Sequence, residues 1–227
     1  VVQKPGFEAR SRASSAVSVV QKPGFEARSR ASSGGPGMPI RDTPFRAGEY
    51  YHVYNRGCNR EPIFVRRENY LFFLTRLREY LCDSTADVFA YCLMPNHYHL
   101  LIRLRDDDLS GPMHAMSTSY SKAFNKECQR VGPLFQGPFR AIHVDREEYL
   151  LHLTRYIHLN PVVAGLVARP EDWEFSSYPE YVGLRNGTLP QPHGVLESIG
   201  SSEAYRAFVE AGGEGRQEPI MHLLIEE

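Results

Sequence analysis

Two short stretches of this sequence carry side chains that do chemistry, at spacings where they can act together. The first is Pro95-Asn96-His97-Tyr98-His99. In an extended strand, residues two apart point to the same side, so His97 and His99 present both imidazoles together while Tyr98 faces the other way. Two neutral imidazoles at that separation can bind one divalent cation. The apolar run Leu100-Leu101-Ile102 follows directly and roots the pair in a sheet rather than a loop. The second stretch is RYIHLNP at 155–161. Tyr156 and Asn160 are four apart and share one side of a helix. The Asn160 amide oxygen is a hard ligand suited to Mg²⁺ or Mn²⁺. The Tyr156 phenol, with an ordinary pKa of about 10, is a nucleophile once a metal or a base helps remove its proton. His152 sits one turn earlier, placed to assist it. Each piece alone also has an ordinary reading: two surface or hydrogen-bonded histidines, a core or interface tyrosine, and an asparagine that ends a helix before proline.

The elements that must carry these groups follow from periodicity. Aromatic and β-branched residues predict strands over 49–55, 86–94, 97–104 and 139–144, with Pro95-Asn96 as the tight turn of an antiparallel pair. Apolar residues at helical spacing predict helices over 69–81 and 112–128, the second broken by Gly132-Pro133. A third helix over 146–159 is expected to end at Asn160-Pro161, because a residue before proline is pushed out of the helical region. The order β-α-β-β-α-β is that of a ferredoxin-like split βαβ, an α+β fold in which helices cover one face of an antiparallel sheet. Beyond it lie an irregular aromatic stretch over 173–181, one more short helix within 195–210, and an acidic C-terminal appendage over 183–227.

The chain has 227 residues, 42% hydrophobic and 23% charged, which is globular composition and excludes a wholly disordered chain. No apolar run approaches the roughly 20 residues of a membrane helix. Cys58, Cys82, Cys92 and Cys128 form no CxxC pair and read as reduced thiols rather than staples or a zinc knot. The net charge of −1 conceals an asymmetry. Residues 1–40 hold six Lys or Arg against two acids, 41–170 seventeen against fourteen, and 171–227 three against eleven. A neutral total therefore does not argue against an anionic partner. VVQKPGFEARSRASS occurs twice, at 1–15 and 19–33, followed by GGPG. Such a segment buries too little apolar surface to offset its ordering entropy, so 1–40 is expected to be a disordered tail, basic enough to touch nucleic acid, with the functional start near Met38. It has no apolar stretch that would serve as a secretory signal.

The two chemical stretches also sit within a longer series: HVYNRG at 52–57, CLMPNHYHLLI at 92–102, LFQGPFRA at 134–141, RYIHLNPVVAGLV at 155–167 and DWEFSSY at 172–178. In that order, over residues 48–182, they resemble the single-tyrosine HUH transposases, in particular the REP-associated tyrosine transposase branch. The resemblance implies a catalytic domain over 41–182 that acts on single-stranded DNA beside hairpins of repetitive palindromic elements. It implies His97, His99 and Asn160 as ligands of Mg²⁺ or Mn²⁺, and Tyr156 as the nucleophile that forms a 5′-phosphotyrosine. The bulky Tyr98 departs from the small residue often found between the two histidines. Tyr120 is a rival nucleophile, set aside because Phe124 stands where an oxygen ligand would be needed. Arg56, Arg103, Arg140 and Arg155 lie in or beside the motifs and are candidates for DNA phosphates, and Tyr50, Tyr51 and Tyr54 for stacking on unpaired bases. Such an enzyme would work in the cytoplasm at the nucleoid, as a monomer or homodimer. Two other readings compete. A non-catalytic nucleic-acid-binding regulator would use the same sheet as a platform, and its binding would survive chelation. A metal-dependent hydrolase using water would form no covalent protein–DNA species.

Overall fold

Alternation along the strand that carries both histidines decides the architecture. In β3 (His97–Leu104), Tyr98, Leu100, Ile102 and Leu104 point to one face and His97, His99, Leu101 and Arg103 to the other. Seven of these eight residues are at least half-buried, so both faces of the sheet must be covered. The computed structural model describes residues 44–211. The duplicated tail over 1–40, the start expected near Met38 and the last part of the acidic segment lie outside the described residues.

β1 (Tyr50–Arg56), β2 (Ala86–Met94), β3 and β4 (Arg140–Val144) form one antiparallel sheet in the order β2-β3-β1-β4. β2 and β3 are joined by the Pro95-Asn96 turn, as expected from their short connection. α1 (Arg67–Leu77) and α2 (Ser110–Glu127) cover the first face, where Phe73, Leu77, Met113, Met116 and Tyr120 meet Val53, Tyr98, Leu100 and Ile102. The Asn69 side chain accepts from the Val65 and Arg66 N–H groups at the start of α1 and donates to Glu127 at the end of α2. This is the ferredoxin-like βαββαβ unit with its two helices on one face.

α3 (Glu147–Val163) follows β4 after only two residues and takes the second face. Its Leu153 and Ile157 are fully buried against Phe89, Cys92, Leu101 and Val144. Pro161 does not end this helix, contrary to expectation. Only the N–H that would have met the Ile157 carbonyl is lost, and the helix runs on to a stop at Gly165. There the φ of +67° lets the Gly165 N–H reach the Val162 carbonyl and the Leu166 N–H the Pro161 carbonyl. The aromatic stretch after it lines the outer edge of β2. Leu93 N–H donates to the Phe175 carbonyl, Ser177 N–H to that of Tyr91, and Trp173 Nε1 to that of Leu93. The edge is thereby paired rather than exposed. α4 (Tyr178–Tyr181), α5 (His193–Ile199) and α6 (Ser202–Glu210) bring Tyr181, Val195, Tyr205 and Val209 into the same second core, so the described part of 183–227 packs beneath α3 rather than standing apart.

His158 pins α3 in place. It is fully buried, with Nδ1 2.7 Å from the Tyr205 hydroxyl and Nε2 2.8 Å from the Ser177 hydroxyl. All four cysteines are free thiols, and no helix among the described residues is long and apolar enough to cross a membrane. Burial lowers the His158 pKa to about 3, while in the unfolded chain it titrates near 6.5. The unfolded state therefore binds the extra proton as pH falls below about 6.5, and stability present above that pH is lost toward 3. Denaturant unfolding is expected to show a drop between pH 7 and pH 5 that is about 2 kcal/mol smaller in His158→Gln than in the parent chain. Equal drops in the two proteins would contradict this.

Candidate active site on the second face of the sheet

Strand register lines the reactive groups up in rows. On the second face, Arg56 stands opposite His97, and Tyr54 stands between Arg140 and His99. The His97 and His99 rings meet edge to face with centroids 4.9 Å apart. His99 is fully buried and His97 is partly exposed. α3 crosses over this row. The Tyr156 ring meets His99 edge-on at 5.4 Å and His52 at 6.3 Å. Asn160, one turn further along and 6% exposed, has its carboxamide beside His99, with Nδ2 donating to the Tyr156 carbonyl at 3.2 Å. Tyr156 is only half-buried. Two pieces that are 57 residues apart from His99 to Tyr156 thus meet in one place.

The electrostatics keep the buried imidazole neutral. Burial, followed by the His97 and His52 rings nearby, holds the His99 pKa well below the ordinary value, and the Asn160 side chain opposes them. His99 Nδ1 lies 3.0 Å from His52 Nε2. His99 Nε2 makes no hydrogen bond within bonding geometry, although the Asn160 side chain lies close enough to favour the protonated ring. His97 Nδ1 lies 2.7 Å from Asn96 Oδ1. A buried nitrogen left without a partner, beside a second imidazole and an amide oxygen, is the donor set a divalent cation takes. No group of three or more His, Cys, Asp or Glu among the described residues offers a competing site.

The candidate phosphate contacts divide. Arg56, with Nε donating to Gln136 Oε1, and the exposed Arg140 flank the His97–His99 row. Arg103 is on the same face but six residues along β3 from His97, about 20 Å away at strand rise. It donates to the Gly48 carbonyl and lies over the Tyr50 ring. Arg155 is corrected more sharply. It is 5% exposed with its guanidinium 4.4 Å from the Phe208 ring centroid, so it packs α3 against α6 and is not placed for a phosphate. His152 likewise turns toward Arg155 and Phe208. Tyr51 is buried on the first face, its hydroxyl accepting from the Arg46 N–H, and Tyr54 is 7% exposed, so neither is open to a base. Tyr120 is on the first face as well, donating to the Ile63 carbonyl. Sequence reasoning gave no role to His52 or Asn96. Asn96 stood beside the pair, but the His52–His99 contact needs the β1–β3 register to be seen.

Comparisons with known proteins bear on the family and the fold. The family described as "Transposase IS200 like" matches residues 47–160, half of the chain, from β1 to the Asn160 turn of α3. A Haemophilus influenzae protein assigned as a REP-associated tyrosine transposase is 30% identical over 101 residues, 39% of this chain and 57% of that protein, so the chain spans little more than half of that relative's length. A solved structure of the REP-associated tyrosine transposase bound to a REP hairpin has the same fold, with 19% identity, a TM-score of 0.53, and coverage of 68% of this chain and 98% of that one. A crystal structure of a protein assigned as a transposase from Deinococcus radiodurans matches more loosely, with a TM-score of 0.36, 16% identity, and coverage of 53% and 95%. On the match from β1 through the helix that carries Tyr156 and Asn160, the chain belongs to the IS200-like transposase family.

Proposed function

We propose that this chain is a metal-dependent transposase and endonuclease that cuts and rejoins single-stranded DNA beside hairpins by transesterification. The observation that carries this reading is the Tyr156 phenol lying against His99, with Asn160 on the same side of α3 and His97 alongside. The solved relative bound to a REP hairpin supports hairpin DNA as the partner.

His97, His99 and Asn160 would hold Mg²⁺ or Mn²⁺. Bound there, the cation supplies Lewis-acid polarisation of the scissile phosphate and offsets the charge that builds on its oxygens. Tyr156 Oη attacks phosphorus and gives up its proton. The bond from phosphorus to the 3′ oxygen breaks, and that oxygen leaves as a 3′-hydroxyl after taking a proton. The product is a 5′-phosphotyrosine on Tyr156. This ester keeps the free energy of the broken diester, so attack by another 3′-hydroxyl releases the phenol and rejoins DNA with no need for ATP. Burial of Asn160 and the packing of Ile157 and Leu153 hold α3 at a fixed height over the sheet, which keeps the phenol oriented before the reaction. Arg56 and Arg140 flank the row and would take the adjacent phosphates. The protein would work in the cytoplasm at the nucleoid, as a monomer or homodimer.

With Mn²⁺ and hairpin-bearing single-stranded DNA, the parent chain is expected to form a covalent adduct that denaturing gels resolve. Tyr156→Phe, which keeps the ring and removes the oxygen, is expected to abolish it while hairpin binding persists; adduct in that variant would reassign the nucleophile. Chelation is expected to remove the adduct and added Mn²⁺ to restore it. Hairpin binding with no adduct under either condition would favour the regulator reading. Arg56→Ala and Arg140→Ala are each expected to weaken binding and to flatten the slope of log affinity against log salt by about 0.7. Arg103→Ala is expected to leave the slope unchanged, and a loss there equal to that of Arg56→Ala would contradict the assignment.

A further inference from the structure

Each imidazole of the pair is held at Nδ1 by a side chain that the reaction itself does not use. For His97 the partner is Asn96 Oδ1, at 2.7 Å. The orientation of that carboxamide is set at its other end, where Nδ2 donates to the Arg60 carbonyl at 3.2 Å. An amide oxygen only accepts, so the proton between the two groups belongs to His97 Nδ1. The Arg60 carbonyl is presented by an unusual loop. Asn59 and Arg60 both have left-handed backbones, with φ of 54° and 61°. Gly57, just before them, has no space for a Cβ, which would run into the Glu61 carbonyl oxygen. The Gly57 N–H in turn donates to the Asn96 carbonyl at 2.8 Å. The turn after β1 and the turn before β3 are thus clamped together around Asn96.

For His99 the partner is His52 Nε2, at 3.0 Å, and either ring could supply the proton. His99 Nε2 decides between them. It is buried and has no hydrogen-bond partner among the described residues. The bond to His52 forms with either tautomer. A proton on Nε2 would have only the Asn160 carboxamide beside it, outside bonding geometry, and would close that nitrogen to a cation, whereas Nδ1–H leaves the Nε2 lone pair open.

We infer that Asn96 and His52 are positioning residues that hold His97 and His99 as Nδ1–H tautomers, so that both Nε2 lone pairs are presented to a divalent cation. The cation and the His99 tautomer rest on the function proposed above; the His97 tautomer can be read without it. Partners of this kind fix ring orientation and raise ligand basicity, and losing one typically costs about 10- to 100-fold in metal affinity.

Long-range ¹H–¹⁵N NMR of the metal-free chain reads the tautomers directly, and both rings are expected to carry the proton on Nδ1. Mn²⁺ affinity, followed by electron paramagnetic resonance of the free ion, is expected to fall about 10- to 100-fold in Asn96→Leu and in His52→Phe. Asn96→Asp and His52→Gln, which return an acceptor to the same place, are expected to recover most of it. An Nε2–H tautomer on either ring would overturn the inference. So would Mn²⁺ affinities that do not follow the presence of the acceptor, the variants changing only in melting temperature. Nδ1–H rings in a chain that binds no Mn²⁺ would uphold the tautomer assignment and overturn the cation reading.

Discussion

A neutral imidazole sealed between the sheet and α3 is the constraint on which the rest of the site depends. His99 cannot take up a second proton without placing charge in a buried space already shared with two other imidazoles. Its Nε2 is left without a partner, which costs about 1–3 kcal/mol in a folded protein. Such an arrangement persists only where the surroundings over-determine it. Here β1 supplies His52 from the neighbouring strand on the same face, β3 fixes the backbone, and α3 brings Tyr156 and Asn160 from above.

The position of α3 is itself secured from behind. His158 reaches from the helix to Ser177 and Tyr205, and the stretch over 173–177 is bound along the β2 edge. The two faces of the sheet therefore divide the work. α1 and α2 close the first face with an apolar core that needs no chemistry, while the second face trades part of its core for histidines and a partly buried tyrosine. The helices after α3 contribute to the site only by holding that helix down.

Much of the scaffold was legible because alternation and helical spacing are local. The four strands and first three helices fall within a few residues of where the periodicity put them, and the His-x-His rule alone sent both imidazoles to one face. What could not be read depends on contacts between distant segments. His52 touches His99 because β1 and β3 pair with Tyr54 opposite His99, a register that no spacing in either strand announces. Arg103 and Arg155 look much like Arg56 in sequence, but strand rise carries one to the far end of the sheet and Phe208 covers the other. Pro161 misled for a physical reason. Proline removes one hydrogen bond, and a helix buried along its length and closed at Gly165 tolerates that loss. The motif series identified the family without saying why its first segment carries a histidine; the geometry supplies a reason.

The most direct test is anomalous diffraction from crystals of the chain grown with Mn²⁺. One peak is predicted about 2.2 Å from Nε2 of His97, Nε2 of His99 and the amide oxygen of Asn160, on the side that faces the Tyr156 hydroxyl. A peak held through Nδ1 of either ring, or one bound elsewhere with the His97–His99–Asn160 set empty, would contradict the account.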